Sequence, residues 1–332
     1  MFHYNLTAIN NDAKNYLYNR KVEDKQINEL NLGFAVKGQL LKIAENNDKI
    51  KKQDLIDLGY LRIDDYGNIH ETFTDRIMFP ICDEKGNILS FAGRGMKDEQ
   101  PKYLHTAENS LFQKKELLYN YSNAKALSYN SELILSEGFL DVAGAKRLGF
   151  DNVSSLMGVA LTEEHLKLVK KNNSMITLAL DNDRAGHDAM LRIIPELIKQ
   201  GLKVNVLDFS KIGEYKDFGD LSEADIPFMD IQNCKVSGFD FLLTHKYFKD
   251  LELKAENISS VYKELKKDKI IINTYDDALF RDYITENTDY IRQDLEEIMY
   301  PKKIQKKEAA IDNFATKAMT NYLYAEVLSQ VD

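Results

Sequence analysis

Leu178-Ala-Leu-Asp181-Asn-Asp183-Arg-Ala-Gly186-His-Asp188 is the stretch on which the fold turns. The apolar run from Met175 to Leu180 has the length of a buried strand, and it stops abruptly at two aspartates one residue apart. The acids then stand at a strand's carboxyl end, the edge at which open α/β sheets bind ligands. Two carboxylates this close repel each other, and either a raised pKa or a bound divalent cation relieves them. The plain alternative is a capped turn, with Asp181 or Asp183 capping the following helix and Gly186 relieving the backbone. An EF-hand is excluded: Asp181, Asp183 and Gly186 fit its first, third and sixth positions, but Ala185 and Arg192 stand at its fifth and twelfth.

Around this stretch the pattern alternates. Leu133-Ile-Leu-Ser reads as a strand ending at Glu137-Gly138, and Phe139 to Leu148 as a helix stopped by Gly149. Val153 to Leu156 is a strand, and Thr162-Glu-Glu-His opens a helix that finishes on Lys170-Lys171. Beyond Asp183 a helix runs from about Ala185 to Gln200, carrying Pro195, which should kink or shorten it; Lys203 to Phe209 is the last strand. Strands separated by helices predict right-handed crossovers and a parallel sheet flanked by helices. That arrangement gathers acids. Glu137 and Asp181 both follow strands, Asp141 lies one helical turn past Glu137, and the loop Lys216-Asp217-Phe-Gly-Asp220-Leu brings two more to the same edge. Such a cleft is costly without metal, and it suits two-metal phosphoryl chemistry.

Upstream, a helix from Asp12 to about Leu30, with a second beginning near Val22, a strand at Leu32-Gly-Phe-Ala and a helix from Lys51 to Leu58 closed by Gly59 predict a small mixed α/β lobe. Arg76-Ile-Met-Phe-Pro-Ile and Ile88-Leu-Ser-Phe-Ala-Gly-Arg94, separated by Asp83-Glu-Lys-Gly-Asn87, form a hairpin signature. Cations at Arg76, Arg94, Lys97, Lys102, Lys114 and Lys115 alternate with Phe91, Tyr103 and Phe112, as in a track for single-stranded nucleic acid. A solvated surface is the alternative, because Asp98, Glu99, Glu108 and Glu116 dilute the charge. From about Asp230 onward there is no strand pattern apart from Ile270-Ile-Ile. Amphipathic helices are expected at Phe241-Leu-Leu, Val261 to Leu265, Tyr283 to Ile298 and Phe314 to Leu328, with the lysine cluster between Pro301 and Lys307 in a solvated turn. The expected division is 1–128 for the N-terminal lobe, 129–229 for the parallel-sheet domain and 230–332 for a helical subdomain.

Composition bounds these readings. At 332 residues there is room for two or three cored domains. A formal charge of -9 argues against coating DNA through bulk charge, although a local basic groove remains compatible with it. Cys82 and Cys234 form no Cys-x-x-Cys pair, so neither a disulfide framework nor a thiolate zinc site is supported. No run of about 18 apolar residues could span a bilayer, and the start lacks a signal-peptide pattern, so a cytosolic protein without a membrane partner is expected.

The set Glu137-Gly, Asp181-x-Asp183-x-Ala-Gly and Lys-Asp217-x-x-Asp220 resembles the Toprim domain shared by DNA primases, topoisomerases and some nucleases. Arg76-Ile-Met-Phe-Pro-Ile, Phe91-Ala-Gly-Arg94, Pro101-Lys-Tyr-Leu, Leu111-Phe-Gln-Lys114, Leu118-Tyr and Glu137-Gly-Phe-Leu-Asp141-Val narrow the likeness to the catalytic core of bacterial-type, DnaG-like primases. The likeness runs from roughly Asp12 to Ala224. It implies that Asp181, Asp183, Asp217 and Asp220 hold two or more Mg2+ or Mn2+ ions, with Glu137 as ligand or proton acceptor and Asp141 in support. Glu137, Asp181 and Asp183 would be the catalytic centre. Arg76, Arg94, Lys102, Tyr103 and Lys114 would contact template, primer or triphosphate. The partners implied are single-stranded DNA, NTPs and a replicative helicase.

The chain departs from the family at several points. It has no residues for the usual amino-terminal zinc ribbon, so no zinc is expected here, and a zinc-binding module is removed, on another chain or absent. His105-Thr-Ala stands where Asn-Ser-Pro is usual, and Asn182 where glycine is commoner. This divergence suits a phage or mobile-element primase acting in the host cytoplasm. The function expected is primer synthesis. A Toprim nuclease would share the metals, a replication scaffold would keep the fold without catalysis, and a topoisomerase would need a gate domain for which the chain has no room.

Overall fold

A computed structural model of the chain describes residues 1–300 apart from 98, 128–131, 159 and 174, together with 314, 317 and 319. The lysine cluster from Pro301 and, apart from those three positions, the helix expected over Phe314 to Leu328 lie outside the described residues. The chain divides into two units, Met1–Phe241 and Leu242–Asp332.

Among its described residues the first unit holds three sheets. The strands in chain order are β1 (Gly33–Ala35), β2 (Leu61–Ile63), β3 (Ile69–Glu71), β4 (Arg76–Cys82), β5 (Ile88–Gly95) and β6 (Tyr103–His105), followed by β7 (Glu132–Ser136), β8 (Val153–Ser155), β9 (Met175–Ala179), β10 (Lys203–Leu207) and β11 (Lys235–Ser237). The amino-terminal sheet runs β1-β4-β5-β6, antiparallel throughout, and β2 with β3 makes a separate ribbon. The β4–β5 hairpin forms as its sequence predicts. The Asp83 carboxylate closes the turn by accepting the Lys85 and Asn87 N–H groups at 2.8 and 2.9 Å, and Gly86 supplies a φ of +87°. The span from Asp12 to Leu30 is two helices, Asn11–Asn19 and Asp24–Glu29, and Lys21 turns between them at φ +56°.

The second sheet runs β11-β10-β9-β7-β8, with β10, β9, β7 and β8 parallel and helices between them. Its register pairs Ser136 with Ala179, which is what puts Glu137 beside the Asp181 turn. Two expectations are corrected. β11, antiparallel to β10, is a strand beyond residue 230, where only Ile270-Ile-Ile had been read as one, and those isoleucines are not in a strand. Three residues of edge strand carry too little pattern to read; Ile270 and Ile271 are apolar because they are buried between helices. The helix Arg184–Lys199 also continues through Pro195, so the proline does not shorten it.

The amino-terminal lobe and the parallel-sheet domain share one core, from Leu6, Leu17 and Phe34 through Phe79 to Phe139, Phe209 and Phe218. Phe139 is the joint. Its ring centroid lies 5.1 Å from Phe79, 5.3 Å from Tyr103 and 4.8 Å from Tyr119. Such pairs add about 0.5–1.5 kcal/mol each beyond burial. Because Phe139 directly follows Glu137-Gly138, this packing sets the basic hairpin against the acidic rim.

The second unit is helical among its described residues, with Ala255–Lys267, Thr274–Asn287 and Arg292–Met299 burying Ile258, Leu265, Phe280, Ile284 and Leu295. No described helix is long and apolar enough to cross a membrane.

Candidate active site

The rim is built from strand ends. Glu137 follows β7, and the Asp181 backbone N–H on its carboxylate side favours the ionised form. Burial, then the charges of Asp181 and Asp183, nevertheless hold the Glu137 pKa above its usual range. Asp183 caps the helix Arg184–Lys199 by accepting the Gly186 N–H at 3.0 Å. A Cβ on Gly186 would stand 2.0 Å from the Asp181 carbonyl oxygen, so only glycine lets the turn fold this tightly. Capping and acid clustering are therefore the same structure. The Gly186 N–H, then Lys216, hold the Asp183 pKa below its usual range.

Two more helix starts complete the set. The Gly138 N–H donates to Asp141 Oδ2 at 2.6 Å, and the buried Asp141 carboxyl is pushed up to about 8, first by burial and then by Asp217. Asp217 caps the helix Phe218–Glu223 through the Asp220 N–H at 2.9 Å, and burial raises its pKa as well. Asp220 Oδ2 accepts the Lys216 N–H at 3.0 Å. The helices of Asp141 and Asp217 meet at Gly144, where a Cβ would lie 2.5 Å from the Phe218 carbonyl oxygen.

Lys216 was not singled out from sequence, although it stands directly before Asp217. Its Nζ lies 3.0 Å from Asp181 Oδ2 and 3.1 Å from Asp183 Oδ2. These hydrogen bonds raise its pKa. The Lys216 carbonyl also accepts the Asn182 N–H at 2.7 Å, tying the two acidic loops together.

A cavity of about 480 Å3 opens at this rim. Glu137, Asp141, Asp181, Asp217 and Asp220 line it together with Arg94, Lys102, Tyr103 and Lys114 from the hairpin lobe. Arg94 is buried and fixed, donating through Nε to the Tyr16 hydroxyl at 2.8 Å and through Nη1 to the Tyr103 hydroxyl at 2.6 Å. Tyr103 therefore orients Arg94 and packs on Phe139. Burial lowers the Lys114 pKa and, with the Lys114 charge, pushes His105 down to about 4. His105, which marks a departure from the family pattern, and Arg20, which carries no signal in the sequence, also line the cavity.

Arg76 lies elsewhere. It is buried at the start of β4, donating from Nη1 to the Gly93 and Pro101 carbonyl oxygens at 3.1 and 2.9 Å, and it is absent from the cavity wall. Gly93 gives it room, since a Cβ there would come within 3.1 Å of the Arg76 side chain. Its cation serves the sheet.

Among the described residues no three Asp, Glu, His or Cys side chains are gathered closely enough to hold an ion unaided. What does converge is a pair of carboxylate oxygens, Asp181 Oδ2 and Asp183 Oδ2, on one cationic atom. Mg2+ is commonly held by one or two carboxylates, with substrate phosphates and water completing the octahedron. The donor set fits an ion of that kind.

A sequence model described as the DNA primase catalytic core, N-terminal domain, matches residues 1–125, and a Toprim-like model matches residues 134–222. The chain is 35% identical over 199 residues to a DNA primase of Haemophilus influenzae, covering 58% of this chain and 33% of that protein. It thus spans about a third of the length of such curated relatives. A crystal structure of a DNA primase domain from Pseudomonas aeruginosa superposes with a TM-score of 0.71 at 25% identity, over 90% of this chain and 96% of that one. A DnaG primase catalytic domain bound to ssDNA superposes with a TM-score of 0.70 at 23% identity, over 89% and 90%.

Proposed function

The chain belongs to the family of Toprim-containing, DnaG-like primase catalytic cores, and from that premise we propose that it joins ribonucleotides into short RNA primers on a single-stranded DNA template. The observation that carries the reading is one cavity lined both by carboxylates of the parallel-sheet domain and by cations of the hairpin lobe. A Toprim domain implies metal-dependent catalysis, and we take the metal here to be two or more Mg2+ or Mn2+ ions. When bound, these would stabilise charge on the attacking 3′-oxygen and the departing pyrophosphate.

The chain's own residues do the rest. Asp181, Asp183, Asp217 and Asp220 would hold the ions with help from substrate oxygens. Glu137, with its raised pKa, is suited to take the proton of the primer 3′-hydroxyl. Asp141 fixes the Glu137-Gly138 turn through the Gly138 N–H. Arg94, anchored by two tyrosines, presents a guanidinium of set orientation to phosphate, while Lys102 and Lys114 add mobile point charges. Stretches 1–128, 129–229 and 230–332 would serve as template track, metal centre and helical subdomain. A replicative helicase and a separate zinc-binding module are the partners proposed, in the cytoplasm.

The test is direct. Purified protein with Mg2+ or Mn2+, NTPs and single-stranded DNA should yield short RNAs, and Asp181→Ala should abolish them. Absence of product across metals and templates, with and without an added zinc module, would overturn the reading. Cleavage of DNA without NTPs would replace it with a nuclease.

A further inference from the structure

We propose that Lys216 is a built-in counter-ion for the Asp181–Asp183 pair, occupying the place of a divalent ion and having to leave before one can enter. This rests on the reading of the rim as a metal site. The geometry is that of exchange: one Nζ sits 3.0 and 3.1 Å from the two carboxylate oxygens that face each other across the turn. An ion bound by the same oxygens at the roughly 2.1 Å of Mg2+ coordination would occupy the position the ammonium now fills. Both cannot be present.

Three features make Lys216 suited to come and go. Its side chain is half exposed, so it can swing into solvent without opening the core. Its backbone is fixed on both sides, by its N–H to Asp220 and its carbonyl to Asn182, so the departing side chain stays tethered at the cavity rim. It lines the same cavity as Arg94, Lys102 and Lys114, where a substrate polyphosphate could receive the freed ammonium. Without metal, the lysine would keep the two aspartates in place; with metal, it would exchange one anionic partner for another. Lysine, a flexible point charge, suits this better than the planar arginine fork.

Mn2+ binding measured by electron paramagnetic resonance, without nucleotide or DNA, tests this apart from activity. The expected result is that Lys216→Ala and Lys216→Met bind Mn2+ roughly tenfold more tightly than the wild type, the scale set by freeing two partly exposed ion pairs. Lys114→Ala, which removes a cation from the same cavity without touching the pair, should change the affinity by less than about twofold. Melting curves in chelator confirm that each variant is folded. Equal or weaker Mn2+ binding in both Lys216 variants would overturn the proposal while leaving the metal site standing, as would an equal gain in Lys114→Ala. No Mn2+ binding by the wild type or by either Lys216 variant, or binding undiminished in Asp181→Asn, would overturn the metal site itself.

Discussion

At the scale of the residue, chemical type and position decide what each ion does. Arg76 and Lys102 are both cations of the hairpin segment, yet one is buried against two carbonyl oxygens and the other faces the cavity. Arg76→Met should therefore cost about 2 kcal/mol of stability, the worth of charged hydrogen bonds lost from a buried site, and leave single-stranded DNA affinity within about twofold. Lys102→Ala should do the reverse; urea melts and fluorescence anisotropy separate the two. Asp141 gives a prediction of definite sign. Its pKa rises from 3.8 to about 8 on folding, so between those values the folded protein keeps a proton that the unfolded chain has released. That stability is fully present below pH 4 and is lost as the pH climbs to 8. In chelator, the melting temperature of the wild type should fall across this window, and Asp141→Asn should flatten the fall. Glu137 and Asp217, raised in the same direction, keep it from vanishing.

At the scale of the element, the site depends on helices brought unusually close. Gly144→Ala would push a methyl to within 2.5 Å of the Phe218 carbonyl oxygen, which is backbone and cannot rotate aside. The helix Phe218–Glu223 must move, at a cost of about 1–3 kcal/mol, and it carries Asp217 and Asp220 with it. Melting temperature and Mn2+ affinity should both fall, and a stable variant with unchanged Mn2+ binding would contradict the role given to this contact. Sequence alone could not have found it, because nothing marks Gly144 within an ordinary helical pattern. The strand before Asp181, the hairpin around Asp83 and the cap at Thr162 were legible because each is a local signal, set by apolar runs and side-chain turns. β11 was not, since a short edge strand is defined by its partner β10. The partners of Arg76 and Lys216 are not legible for a related reason: charge is visible in sequence, but the carbonyl or carboxylate that claims it is tertiary.

At the scale of the whole molecule, a chain of formal charge -9 that takes single-stranded DNA as proposed would bind it through a few local cations. Arg94, Lys102 and Lys114 face the cavity, and three phosphate contacts on a single strand predict a slope of about -2 for log affinity against log salt. Lys102→Ala should flatten that slope by about 0.7. The global charge acts differently, because it reaches beyond the cavity and is screened over about 10 Å at 0.1 M salt. Below that concentration the molecule as a whole repels the strand, while the cavity holds it once docked. Added salt should then speed association and speed dissociation more strongly, opposite to the slowed association of a basic DNA-binding surface. Stopped-flow anisotropy between 20 and 150 mM salt resolves the two rates. An association rate that falls steeply with salt would mean that a larger basic surface than these three side chains steers the strand to the site.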